Sequence, residues 1–451
     1  MTGKQRYNLI YTILVVLLSI AVLLQFYDML NSWTGGTERG QRAEDPVYDD
    51  ARLLQPLQIA VSSGRQEGRS ALLTEQNLAY YETYRASWDF LQEILEAQPQ
   101  AEAVSYEELN TNRPVCRYLY ASSRSGEMLL QAFPENGVIS GESVIKEMEH
   151  YSSIWIVPAE NVREESCVYL VGGTDSVIRL SAQVSRGHTE SFLDGMRSVC
   201  DRIGERYFDC AVFYPEAFAE HILLRDQTDP EVYTPWRIRS NSGMTQDTVF
   251  RYIRNLFSYP EVVRAQQTDE DTWIFTDDRV SVRAERSGMI SYIHTPTAVQ
   301  IGTVERLPIA DAYDIAYSFV SADIAGDGQP VSLYLDSWET TETGYIFRWN
   351  YQKDGRTVIP EESLMQSTGM QSGLQLEIRG EEVYRYKCWK IRLESAPYRT
   401  QILTESAFSI IGAMERADWE SIRLVYRIED GTALPYWELL QGDEKSYIKG
   451  R

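Results

Sequence analysis

Residues 9–30 read "LIYTILVVLLSIAVLLQFYDML", with no charge between Leu9 and Leu24 and only Gln25 and Asp28 interrupting the apolar character up to Leu30. About 20 such residues are needed to cross the hydrocarbon core of a bilayer as a helix. Backbone in lipid has no water to satisfy its N–H and C=O groups, so a segment of this kind has few conformations open to it. The stretch predicts a transmembrane helix over 9–30, with Tyr11, Tyr27 and Trp33 where interfacial aromatics anchor the ends. Lys4 and Arg6 precede the run and Asp28 closes it, which puts residues 1–8 in the cytoplasm and the remainder outside the cell membrane. The run is longer than a signal-peptide core, and "QFYDMLNSWTGG" offers no small-x-small cleavage site, so an uncleaved anchor is expected. Thr12, Ser19 and Ala21 are its small or weakly polar members, and Thr12 and Ser19, seven apart, share a face that a partner helix can approach. The plain alternative is that these hydroxyls bond their own backbone, and the span has no GxxxG.

Beyond the anchor, length and charge narrow the classes. A chain of 451 residues suggests two or three domains. With 43 basic and 66 acidic residues its formal charge is −23, which repels phosphate backbones and argues against a nucleic-acid partner. Cys116, Cys167, Cys200, Cys210 and Cys388 are scattered and odd in number, with no CxxC pair, so neither a disulfide framework nor a zinc site is indicated, although a single bridge fits the count. His150, His188, His221 and His294 show no paired spacing, which leaves imidazole chemistry little to work with.

Residues 31–50 are polar, Gly-rich and aperiodic, as a tether is. A first α+β domain is expected over 51–225. Its strand "LQIAVSS" leads to an amphipathic helix over 74–97 with Leu78, Tyr81, Trp88, Leu91 and Leu95 inward. The runs "VCRYLYA", "EMLLQAF", "IWIVPA", "CVYLVGG" and "VIRLSAQ" suggest a sheet, and a helix over 190–205 precedes the strand "FDCAVFYP". The Pro-containing stretch 226–244 reads as a boundary. A central domain over 245–330 opens with a helix at 245–258 and continues as the meander "TWIFTD", "VSVRAE", "ISYIHT", then a helix at 310–322. A C-terminal domain over 331–451 repeats the scheme with "VSLYLDSW", "GYIFRWNYQKDGRTVIP", a helix at 404–417, "SIRLVYRI" and "LPYWELL". Helices followed by β-meanders predict an α+β architecture, antiparallel sheets each packed by helices. In "YIFRWNYQ" the aromatic residues Tyr345, Phe347, Trp349 and Tyr351 alternate with Arg348, Asn350 and Gln352. The expectation is that a helix covers the rings and that the polar side is solvated, a surface where a protein partner docks. The other reading of the row is a platform for stacking sugars.

Motifs for chemistry are weak. "GESVIK" sets Ser143 and Lys146 at the spacing of a Ser-Lys catalytic pair, but no KTG or SDN accompanies it. "SADIAGDGQP" places Asp323, Asp327 and Gly328 as a calcium loop would, but Ala325 stands where a ligand is needed and Tyr334 where the closing Glu belongs, so a Gly-rich turn is expected. No cofactor, metal or catalytic residue is assigned.

The stretch 255–296 carries Leu256-Phe257-Ser258-Tyr259-Pro260, then Phe275-Thr276-Asp277 on a strand, then a turn from Tyr292 to Pro296. In these elements it resembles the central part of the YycH family, and "GYIFRWNYQKDGRTVI" and "LVYRIEDGTALPYWEL" look like the strands with which YycH and YycI end. The resemblance implies a non-enzymatic, extracytoplasmic regulator on one N-terminal helix. Such a regulator acts on the WalK (YycG) sensor histidine kinase of a two-component system that governs cell-wall homeostasis. It implies the kinase and a YycI-like protein as partners, biasing a two-state signalling element by differential binding. The sign of that regulation does not carry over. An envelope ligand- or glycan-binding module and an envelope hydrolase are the competing classes.

Overall fold

The computed structural model describes residues 52–109, 112–132, 142–161, 163–215, 218, 220–225, 227–236, 245–295, 305–325, 332–403, 419, 421–441 and 444–449. The expected membrane helix 9–30 with Thr12, Ser19 and Ala21, the tether 31–50 and the expected helix 404–417 lie outside the described residues.

Alternating apolar residues build the first sheet. It comprises β1 (Gln58–Ser62), β2 (Arg69–Leu73), β3 (Gln100–Ala103), β4 (Val115–Arg124), β5 (Tyr151–Val157), β6 (Ser166–Val171), β7 (Val177–Ala182), β8 (Tyr207–Asp209) and β9 (Leu223–Arg225). Among the described residues these pair in the order β3-β7-β6-β5-β4-β1-β2-β8-β9, antiparallel throughout. One face is covered by α1 (Leu78–Glu96) and α2 (Arg186–Ile203). Asn77 starts α1 by accepting a hydrogen bond from the Ala79 N–H at 3.0 Å. Its inward stripe is set by Tyr80, Tyr84, Trp88, Leu91 and Leu95. Leu78, expected inward, is 76% exposed because it sits in the first turn beside that stripe.

Two expected strands are helical turns instead. "EMLLQAF" folds as the short helix Gly126–Gln131, because Ser125 caps it through the Met128 N–H and Gly126 approaches Ile145 O so closely that a Cβ would clash. In "FDCAVFYP" the strand ends at Asp209, whose carboxylate accepts from the Ala211 N–H and turns Cys210–Phe213 into a helical turn.

The second sheet contains β11 (Glu231–Trp236), β12 (Arg264–Asp269), β13 (Thr272–Thr276), β14 (Val280–Glu285), β15 (Met289–His294), β16 (Ser332–Thr340), β17 (Gly344–Lys353), β18 (Arg356–Ile359), β19 (Leu374–Arg379), β20 (Glu382–Trp389), β21 (Arg392–Arg399), β23 (Ser421–Glu429), β24 (Thr432–Gln441) and β25 (Glu444–Lys449). The remaining pair, β10 (Gln227–Thr228) and β22 (Ile402–Leu403), is a separate ribbon. Helix α3 (Gln246–Ile253) leads into the meander β12 to β15, and α4 (Ile309–Ala325) packs on β17, β19 and β20. The architecture of the described residues is therefore mixed α and β, dominated by two large sheets that are antiparallel except for β18 beside β23.

Residues 245–330 and 331–451, expected as separate domains, share this second sheet: β15 pairs with β20 from Met289↔Trp389 to Ile293↔Arg385. Part of the expected boundary 226–244 also belongs to it, since β11 pairs with β21 and β24. The two sheets meet at β4 and β16 and share one apolar core.

Candidate functional site

Strand β17 is where the sequence set its candidate surface, and its local geometry follows from the turn that ends it. Asp354 and Gly355 adopt φ of 52° and 70°, the left-handed pair that an Asp-Gly hairpin supplies. The hairpin fixes the register of β18 against β17, Gln352 opposite Thr357. On the aromatic side Tyr345, Phe347, Trp349 and Tyr351 are all buried, and Tyr313 of α4 lies edge-on to Phe347 with ring centroids 5.5 Å apart. A helix covers the rings, as the alternation predicts.

The opposite side corrects the expectation of a solvated docking surface. Arg348, Asn350 and Gln352 are only 8%, 2% and 2% exposed. The reason is that β17 is an interior strand, between β16 on one side and β18 and β19 on the other, and Tyr334 of β16 reaches over this face to Thr357 of β18. Asn350 accepts from the Gly373 N–H at 2.8 Å, where a Cβ on Gly373 would press on the Tyr351 ring. Gln352 accepts from the Ser332 hydroxyl at 3.3 Å, and Arg348 pairs with Glu339 at 2.8 Å.

A wider polar network continues from these residues. Tyr334, opposite Asn350, shares a 2.7 Å hydrogen bond with Thr357, and burial together with Asp336 pushes its phenol far up. Asp336 occupies a bulge of β16 between Leu335 and Ser337 and interacts electrostatically with Tyr334, Arg423 and Tyr447. Arg423 and Glu438 face each other across β23 and β24 and pair at 2.5 Å. Burial works to raise the Glu438 carboxyl, but Arg423, Lys445 and a Tyr447 hydrogen bond hold it below the usual carboxylate range. Asp336 Oδ1, Arg348 Nε, Gln352 Nε2 and Glu438 Oε2 are buried without hydrogen-bond partners. Arg348 with Glu339 and Arg423 with Glu438 neutralise each other in pairs, and Asp336 adds a further carboxylate near Arg423.

The junction of the two sheets is marked by Arg124 at the end of β4, which is 2% exposed. Its guanidinium donates to Leu335 O of β16 at 3.1 Å and to Ser122 O at 3.2 Å, and burial pulls its pKa down.

A second buried cluster was not visible in the sequence. Arg117 of β4 pairs with Asp209 at 2.7 Å and stacks over the Trp155 ring at 4.1 Å. Both oxygens of Asp209 lie 3.0 Å from His221 Nδ1, and the His221 ring stacks against Tyr106. Although burial raises the Asp209 carboxyl, Arg117 and His221 together keep it below its ordinary value. Positions 117, 209 and 221 share no local pattern, so only the pairing of distant strands brings them together.

The remaining expected motifs separate. Ser143 and Lys146 lie on the exposed helix Glu142–Glu147, where Lys146 pairs with Glu142 at 2.5 Å. Asp323 sits in α4 with its carboxylate held by Lys390 at 2.8 Å and the Tyr386 hydroxyl at 2.8 Å, while Asp327 and Gly328 lie outside the described residues. All five cysteines are unpaired; burial pushes the Cys116 and Cys388 thiols up to about 12. Among the described residues no group of three or more His, Cys, Asp or Glu is arranged to hold a metal.

No protein-family profile matches this chain, and no curated protein does either. Among solved structures, an uncharacterized protein from Eubacterium rectale is similar at a TM-score of 0.32 and 10% identity, over 54% of this chain and 89% of that one.

Proposed function

We propose that this chain is a membrane-anchored, extracytoplasmic regulatory protein that modulates a two-component sensor histidine kinase of the WalK (YycG) type by protein–protein contact, together with a YycI-like protein. The observation that carries the reading is the order of features along the chain. Lys4 and Arg6 precede an uncharged span long enough to cross a bilayer, a polar tether follows, and a large α+β body comes after it. The likeness of 255–296 to the central part of YycH supports it further. In the fold those residues run from the 3₁₀ turn Arg254–Leu256 through the hairpins β12 to β15. Acting by association, such a protein shifts a kinase equilibrium only through different affinities for its two states.

Replacing residues 9–30 by an unrelated membrane span, with the kinase regulon as readout, tests the proposal. A shifted output is expected. Unchanged output after both this exchange and deletion of the whole gene would remove the regulatory reading. Glycan binding through the aromatic row of β17 loses its motivating observation, because those rings are in the core.

A further inference from the structure

The helices that cover the first sheet run antiparallel. Glu82 near the start of α1 pairs with Arg202 near the end of α2 at 3.2 Å, and Glu93 near the end of α1 pairs with His188 in the first turn of α2. Between these cross-links the helices touch through the stacked rings of Phe90 and Phe192, centroids 4.5 Å apart, and leave a groove beside that contact. Ala86 on α1 and Ser191, Gly195 and Ser198 on α2 are small, and a Cβ placed on Gly195 meets nothing within 4 Å. What remains is a cleft of about 370 Å³, within the roughly 300–1,000 Å³ range of small-molecule sites.

The floor of this cleft is apolar, formed by the buried Phe192, Met196 and Val199. Three polar residues of α1 line it, Glu82, Thr83 and Asp89. Thr83 is 6% exposed and its Oγ1 has no hydrogen-bond partner, a condition rare for a buried hydroxyl. Asp89 lies six residues further along and engages in no ion pair or hydrogen bond among the described residues. The carboxylates at the two ends are already taken, Glu82 by Arg202 and Glu93 by His188 and the Ser185 N–H. The charge left facing the cleft is therefore a single carboxylate above an apolar floor, with the Thr83 side chain roughly 9 Å back along α1.

We propose that this cleft is a binding site for a small molecule carrying one ammonium group and one compact apolar group. The ammonium pairs with Asp89, and the apolar group rests on Phe192 and Met196. The site does not depend on the kinase reading; in a protein of either kind it would sense or carry such an amine.

The test uses the full chain in detergent micelles, with phenethylamine as probe and 2-phenylethanol as its uncharged counterpart, read by saturation-transfer NMR. Saturable binding of the amine is expected, at least tenfold tighter than the alcohol. Asp89→Asn, at an exposed position, should erase that preference. Gly195→Leu fills the cleft with a better helix former and should weaken amine binding at least tenfold in the same micelles, with the melting temperature held or raised. The proposal is overturned by absence of saturable binding at millimolar amine, by equal binding of the alcohol, by an amine preference that survives Asp89→Asn, or by binding that survives Gly195→Leu.

Discussion

On one side of β17, Tyr345, Phe347, Trp349 and Tyr351 pack under α4; on the other, Arg348, Asn350 and Gln352 sit among hydrogen bonds and ion pairs, and both sides are shut off from water. Period-2 alternation assigns residues to two sides of a strand. It does not say whether the polar side is wet. Here the polar side is closed because β16, β18 and the β23–β24 hairpin bring complementary groups over it. The two sides should respond differently to substitution, the aromatic one through lost volume and the polar one through stranded charge or hydrogen bonds.

The largest effect is expected on the aromatic side. Trp349→Ala removes a fully buried ring and should destabilise the fold by about 3–5 kcal/mol, measured by guanidinium unfolding. A loss below about 1 kcal/mol would mean that α4 does not pack tightly on this side of β17.

On the polar side, Glu438→Gln strands Arg423 and should cost about 2 kcal/mol, in the range of a hydrogen bond to a charged group. The double replacement Arg423→Met with Glu438→Leu should recover most of that loss, since removing both partners of a buried pair is commonly near neutral. Equal destabilisation by the single and double variants would show that packing, and not charge, holds this side.

How far the sequence reached follows the same divide. Elements specified by local chemistry were legible: the hairpin at Asp354-Gly355, the stripe of α1 from Trp88 to Leu95 and the meander β13 to β15. Where a single cap residue overrides an apolar run, as Ser125 and Asp209 do, the strand reading failed. The candidate surface at Arg348, Asn350 and Gln352 was misplaced because its covering strands come from residues up to about 90 positions away, and no local pattern announces them. The same distance hid Arg117, Asp209 and His221. The cleft between α1 and α2 is likewise set by which small residues of two helices far apart in sequence happen to face each other.

A smaller loss is expected at Asn350, whose neutral side chain satisfies one backbone donor. Asn350→Ala leaves the Gly373 N–H buried and unpaired, at a cost of about 1–2 kcal/mol. Asn350→Asp keeps an acceptor but adds a charge to a side that already holds Asp336 and Glu438. It should therefore destabilise more than alanine does, as compared by thermal melts at neutral pH.

The finest distinction between the two sides is their response to acid. The rings of the aromatic side do not titrate near pH 4, whereas Glu438 is held below its ordinary range by Arg423 despite burial. A carboxyl whose pKa is depressed by folding binds fewer protons in the native state than in the unfolded one. Its contribution is complete above the unfolded value of about 4.5 and is lost as pH falls through the lower folded value. Asp209 follows the same sign in the first sheet, and Asp354, raised by burial, follows the opposite one. Unfolding free energies collected between pH 6 and pH 3 should therefore fall more steeply in the native sequence than in Glu438→Gln, while Trp349→Ala should run parallel to the native curve, displaced downward. If the Glu438→Gln curve were as steep as the native one, folding would not lower the Glu438 pKa, and its pairing with Arg423 would not be what closes the polar side of β17.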